Sequence, residues 1–213
     1  MISIINFKAY PGATGTQAVK LAKICEQVAR KKKAIIALAV QACDINPVSF
    51  NVSIPVLAQH IDVLDQGAHT GRTVPASIKE AGAIGSVINH SEHPISLPMI
   101  AQAIKKMREN CMISLVCANS STMVKKIARF VPDLIAFEPP ELIGGKKSVS
   151  TTKPEEVRKA VKLARGIPLL CGAGIKTRED VLAAQKLGAQ GILISSGVVN
   201  AKSPAKALRK LIL

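Results

Sequence analysis

Apolar runs and amphipathic segments alternate along the chain from one end to the other. Eight short runs are apolar without strict alternation: "SIINF" (3–7), "AIIALAV" (34–40), "PVLAQHI" (55–61), "IGSVIN" (84–89), "MISLVCA" (112–118), "DLIAF" (133–137), "IPLLCG" (167–172) and "GILIS" (191–195). Parallel strands covered on both faces read this way. Between the runs, apolar residues recur at helical spacing. Ala18, Leu21, Ala22 and Cys25 share one face, as do Ile100, Ile104 and Met107, and Val124, Ile127 and Ala128. Start signals agree: Thr152 with Glu155 and Thr177 with Asp180 have capping-box spacing, and Ser203 before Pro204 suits an N-cap followed by the first helical residue. The segment 43–54 is the weakest helix candidate, its proline and asparagines leaving room for one or two turns. Eight strand–helix units without a long linker predict a closed (β/α)8 barrel; six or seven would have favoured an open, doubly wound sheet. No break in composition divides the chain, so residues 1–213 are expected to form a single domain.

Composition changes this picture little. Of 213 residues, 48% are hydrophobic, yet only four are Phe, one is Tyr and none is Trp, so the core must be aliphatic. No apolar run reaches the roughly 18 residues needed to span a bilayer. The N-terminal "MISIINFK" has neither the basic region nor the cleavage-site pattern of a signal peptide, so a cytoplasmic location is expected. The five cysteines are odd in number, widely spaced and without a CxxC pair, which predicts buried free thiols in a reducing compartment. The formal net charge of +15 is high. It is spread over helices, as in "ARKKKA", "IKKMRE" and "VKKIAR", with almost no aromatics to stack on bases. Solvated helical faces explain it better than a nucleic-acid surface, and no nucleic-acid or membrane partner is expected.

In a barrel of this kind the chemistry sits on the loops beyond the C-terminal strand ends. The polar residues there are Asn6 and Lys8, Gln41, Gln59 and His60, His90 to Glu92, Asn119, Glu138, the "GAG" of 172–174, and Ser195-Ser196-Gly197. Singly, each is ambiguous. Lys8 could be a solvated lysine, Asn6 could satisfy a loop backbone, and His90 could be a hydrogen-bonded core histidine. Glu138 is more pointed, because it ends an apolar strand and is followed at once by Pro139 and Pro140. A partly desolvated carboxylate has a raised pKa and suits a general base, although a helix cap or an ion pair to Lys8 would also explain it. "CGAGIKTRED" and "ISSGV" put small residues and helix N-termini on neighbouring loops, the usual phosphate site of this barrel. Together, base, imidazole, lysine and phosphate cradle suit proton transfer beside a carbonyl in a small phosphorylated substrate. Glu138 would take a carbon-bound proton, neutral His90 would hydrogen-bond the developing enediolate oxygen, and Lys8 would stabilise negative charge.

"NFK" (6–8), "NHSE" (89–92), "EPPELIG" (138–144), "GAGI" (172–175) and "SSGV" (195–198), in this order and on these strands, resemble the triosephosphate isomerase family. The shorter archaeal form is the closer match, through "NFKAY", "AQHID" and "EPPELIG". The resemblance implies a TIM barrel that interconverts dihydroxyacetone phosphate and glyceraldehyde 3-phosphate with no metal or organic cofactor; the glutamate base and neutral histidine are that family's own logic. It implies catalytic roles for Glu138, His90 and Lys8, with Asn6 and Lys8 binding substrate. Glu92 would orient the lysine, Ile143 and Gly144 would begin a lid over the phosphate, and Gly174, Ser195 and Ser196 would complete the phosphate contacts. Thr70, within "AHTG" (68–71), would lie on a loop that enters a neighbouring subunit, so a homo-oligomer, dimer or tetramer, is implied. The chain departs from the pattern at the lid, "IGGKKSVS", where the glycine pair loosens the backbone and Lys146-Lys147 would steer an anion inward. It departs again at "LARGIPLL", a short connection in which Gly166 is expected to end a helix as a C-cap, and in its +15 charge. Two other readings stand beside this one. One is another phosphate-binding (β/α)8 biosynthetic enzyme, such as a prenyl-glyceryl or thiamine phosphate synthase, which would not need Asn6, Lys8, His90 and Glu138 together. The other is a basic, nucleic-acid-associated protein.

Overall fold

The computed structural model describes residues 1–145 and 148–213. The strands are β1 (Ile2–Asn6), β2 (Ile35–Val40), β3 (Val56–Ala58), β4 (Gly85–Ile88), β5 (Ile113–Ala118), β6 (Leu134–Phe137), β7 (Leu169–Cys171) and β8 (Gly191–Ile194). They pair in parallel in chain order, and β8 returns to β1 to close the barrel. The helices that cover it include α1 (Thr16–Lys32), α2 (Ile45–Ser49), α3 (Pro75–Glu80), α4 (Leu97–Glu109) and α5 (Ser121–Ile127). After β6 come α6 (Val149–Thr152), α7 (Pro154–Leu163), α8 (Arg178–Lys186), α9 (Ser196–Val199) and α10 (Pro204–Leu211).

The near-continuous apolar runs follow from this closure, since each strand has one face inside the barrel and one under a helix. Ile4, Ala39, Leu57, Val87, Leu115 and Leu193 pack together in the barrel interior. A larger cluster fills the space between barrel and helices, and receives the predicted helix faces: Ala18, Leu21, Ala22 and Cys25, then Ile100, Ile104 and Met107, then Val124, Ile127 and Ala128. The core is aliphatic, as the composition predicts; Phe7 and Phe137 are its largest fully buried side chains.

Five local expectations change. The third strand is only three residues long, and Gln59-His60-Ile61 lie beyond it as loop. Thr152 does not start a helix: it ends α6, and Lys153 precedes Pro154 at the head of α7, so Thr152 and Glu155 form no capping box. Pro154 decides this, because it fits the first helical position but disfavours helical backbone in the residue before it. Ser203 precedes α10, but its side chain makes no capping hydrogen bond. Gly166 is not the C-cap of α7, which is Ala164; Arg165 and Gly166 both turn left-handed after it, with φ of 55° and 87°. Cys25, Cys117 and Cys171 are buried, but Cys43 and Cys111 are exposed. The box at α8 forms as predicted, Thr177 Oγ1 accepting from Asp180 N–H (3.2 Å) and Asp180 Oδ2 from Thr177 N–H (2.9 Å). Residues 43–54 hold a single short helix, α2, after a 3-10 turn at Ala42–Asp44. Among the described residues, no helix is long and apolar enough to cross a membrane.

Candidate active site

The barrel's strands deliver the polar residues to one rim. Strand β6 ends at Phe137, and the next N–H, that of Glu138, still donates to Ala118 O on β5 at 2.9 Å. The backbone of Glu138 is therefore part of the barrel wall. Pro139 has φ of −56° and Pro140 opens a 3-10 turn, Pro140–Leu142, so the chain leaves the strand along a restricted path. Glu138 is 4% exposed, and its Oε2 has no hydrogen-bond partner. Burial pushes its pKa up to about 7, only partly offset by the Cys117 thiol and the Lys8 charge, which favour the ionised form. The carboxyl stands against Gly172, just past β7, with no room between them for another carbon atom.

His90 faces this carboxyl, with Nε2 3.8 Å from Glu138 Oε2. Its Nδ1 accepts the backbone N–H of Glu92 at 3.2 Å, so Nδ1 carries no proton and the neutral ring bears its hydrogen on Nε2, towards Glu138. Burial lowers the imidazole pKa and the Lys8 charge lowers it further, which outweighs the opposing pull of Glu92. Asn89, at the end of β4 with φ of 59°, clamps the loop: its Nδ2 donates to Cys117 O (2.9 Å) and its Oδ1 accepts from Ile95 N–H (3.0 Å).

Lys8 follows β1 in a left-handed turn, φ 50°, and its N–H donates to Asn6 Oδ1 at 3.0 Å. Its Nζ pairs with the Glu92 carboxylate rather than with Glu138. The ion-pair explanation of Glu138 thus gives way: Lys8 is neutralised by an exposed acid, and the buried acid is left without a cationic partner.

One pocket holds nine of the residues singled out in the sequence: Asn6, Lys8, His90 and Glu138 on one side, and Ile143, Gly144, Gly174, Ser195 and Ser196 on the other. Gly144 and Gly174 have φ of 71° and 70°, which side chains rarely adopt. Ser195 Oγ is buried without a partner, a second polar atom awaiting one. Glu92 reaches the site through Lys8 rather than lining it, and Thr70, exposed on the connection between β3 and α3, does not line this pocket. Lys146 and Lys147 lie outside the described residues. The pocket also takes in Tyr10, Gly172, Ile175, Lys176 and Gly197, which the sequence did not single out one by one. Gly172 lies in a quoted motif, but nothing local distinguishes a glycine that makes room from one that turns. Among the described residues, no group of three or more His, Cys, Asp or Glu side chains is placed to hold a metal ion.

A barrel with its titratable groups gathered at the C-terminal rim is an enzyme scaffold, and a desolvated carboxyl facing a neutral imidazole is equipped for proton transfer. Residues 1–212 match the family model described as triosephosphate isomerase. Relatives of that name include those of Methanothermus fervidus, 47% identical across 99% of this chain and 97% of the relative, and Methanobacterium bryantii, 45% identical across 99% and 95%. A third, from Methanocaldococcus jannaschii, is 43% identical across 100% of this chain and 99% of its own. The chain belongs to the triosephosphate isomerase family.

Proposed function

We propose that the protein interconverts dihydroxyacetone phosphate and D-glyceraldehyde 3-phosphate, acting in glycolysis and gluconeogenesis. The observation that carries this is the buried Glu138 carboxyl, unpartnered at Oε2 and 3.8 Å from His90 Nε2, with a pKa of about 7. A base poised near neutral pH is half ionised at its working pH and can both take and return a proton.

Glu138 takes the proton from the carbon beside the carbonyl. The C–H electron pair forms the new C=C bond, and the carbonyl π pair moves onto oxygen to give an enediolate. His90 Nε2–H hydrogen-bonds that oxygen, which being neutral it does without forcing a full proton transfer. The hydroxyl proton of the neighbouring carbon passes to that oxygen, the hydroxyl oxygen it leaves becomes the new carbonyl, and Glu138 returns its proton to the former carbonyl carbon. Lys8 sets a positive charge against the substrate's negative charge, Asn6 holds the Lys8 turn, and Glu92 orients the lysine. Gly174, Ser195 and Ser196 hold the phosphate, with the Ser195 hydroxyl finding its missing partner there. Ile143 and Gly144 begin a lid that closes over it and excludes water. No metal or organic cofactor takes part. The whole chain acts as one domain, cytoplasmic, in a homo-oligomer (dimer or tetramer) in which Thr70 of one subunit approaches the site of the next.

The test is isomerisation of glyceraldehyde 3-phosphate by wild type and by Glu138→Asp. Retracting the carboxylate by one methylene, about 1 Å, should lower kcat by about a hundredfold with little change in KM. An unchanged variant would remove Glu138 as the base. A folded wild type without turnover would remove the function.

A further inference from the structure

Gln59, the first residue beyond β3, is a polar strand end to which the proposed reaction assigns nothing. It is half-buried. The two hydrogens on its Nε2 are shared among three acceptors, Ala39 O at 3.1 Å, Lys8 O at 3.1 Å and Asn6 Oδ1 at 3.2 Å. Two of these oxygens are backbone carbonyls, which only accept, so the amide can point only one way. One side chain thereby ties together the ends of β1, β2 and β3.

What it ties is the turn carrying Lys8. A lysine at φ 50° is in a region that residues with a Cβ seldom occupy, and such a conformation persists only where its surroundings hold it. Within the turn itself the Lys8 N–H is held by Asn6 Oδ1. Gln59 grips the other half, the Lys8 carbonyl, and also steadies Asn6 Oδ1. The backbone angles of Lys8 set the direction of its Cα–Cβ bond. A return to negative φ would swing a four-carbon side chain out of the pocket.

We propose that Gln59 is a positioning residue for the isomerase: it holds Lys8 in the left-handed turn that aims Nζ across the pocket. This rests on the isomerase reading, in which Lys8 faces the substrate's negative charge. Ala39 O already accepts the Phe7 N–H at 2.9 Å, so the barrel edge closes without Gln59. The amide is needed for the turn rather than for the sheet.

The experiment is a two-by-two set of Gln59→Met and Lys8→Met, with Gln59→Glu as a second Gln59 variant. Methionine keeps the length and removes the donors. Glutamate turns an oxygen towards three oxygens. In the presence of Lys8, Gln59→Met should raise KM and lower kcat/KM about tenfold, and Gln59→Glu by more, with the pH midpoint set by Glu138 unmoved. In the Lys8→Met background, Gln59→Met should cost nothing further, because the group it aims is gone. An equal loss in both backgrounds, wild-type kinetics in Gln59→Met, or failure of both Gln59 variants to fold would overturn the proposal and leave Gln59 a structural residue. Wild type without turnover would sink the isomerase reading alone. Calorimetric binding of glycerol 3-phosphate, which has no carbonyl to react, then decides for Gln59: about tenfold weaker binding in Gln59→Met only when Lys8 is present supports the role, and equal binding overturns it.

Discussion

A side chain at position 172 would collide with Glu138. The Cβ of any residue there would lie 2.4 Å from Glu138 Cγ and 2.7 Å from its Cδ and Oε1, distances that non-bonded carbon and oxygen atoms do not tolerate. The loop after β7 therefore reaches the chemistry twice, through Gly174 towards the phosphate side of the pocket and through Gly172 as the wall behind the base. Gly172→Ala should push the carboxyl aside by about 1 Å and lower kcat by about a hundredfold. KM and the denaturation midpoint should change far less, as measured by initial rates and a denaturant titration. Wild-type kcat would mean that the site relaxes around the methyl group.

The raised pKa of Glu138 links activity to stability with opposite signs. Activity should rise with pH as the carboxylate ionises, through a midpoint near 7 in kcat/KM. Stability should move the other way. Between the ordinary carboxyl pKa and about 7 the folded state holds a proton that the unfolded state has lost, so stability falls as pH rises through this window. Glu138→Gln removes the ionisation, and should be the more stable protein above pH 7 by about 3 kcal/mol, with the gain vanishing near pH 4. Urea titrations of both proteins at pH 4, 6 and 8 check this, and parallel stabilities at all three would refute the shift.

Lys8 and Glu92 make a half-exposed pair, with Glu92 57% exposed. Such pairs contribute under about 1 kcal/mol to stability. Glu92→Gln should therefore leave the denaturation midpoint almost unchanged while raising KM severalfold, as the lysine loses the partner that orients it. A large stability loss with unchanged KM would reverse this assignment.

The two threonines read as helix starts should behave differently. Thr177→Ala removes a formed capping box and should cost about 1 kcal/mol. Thr152→Ala removes an exposed side chain at the end of α6 and should lie within about 0.5 kcal/mol of wild type. Denaturation of the pair under identical conditions measures the difference, and equal losses would contradict the caps described here.

By itself the sequence determined the order and kind of the barrel strands and the chemistry gathered at their ends. Strands buried on both faces must be apolar throughout, so eight such runs betray themselves, and an acid or imidazole ending one is conspicuous. Glu138 stood out for that reason; Asn6, Lys8 and His90 gained weight only as a set, and Gly174 and Ser195 through the family resemblance, and one pocket holds them all. What concerns pairs distant in the chain was decided only by the tertiary structure. The resemblance implied that Glu92 orients Lys8, but only the fold shows how, the β1 and β4 loops meeting across 84 positions and leaving Glu138 out of the pair. Gly172 is a glycine because of Glu138, 34 residues earlier, and Gln59 matters because three strand ends converge on its amide. The cap at Thr152 failed for a local reason instead, since Pro154 opens α7 and disfavours helical backbone in the residue before it. Periodicity and strand-end polarity are local and survive in one dimension. Clearance, hydrogen-bond partners and the burial that lifts the Glu138 pKa exist only once the barrel has closed.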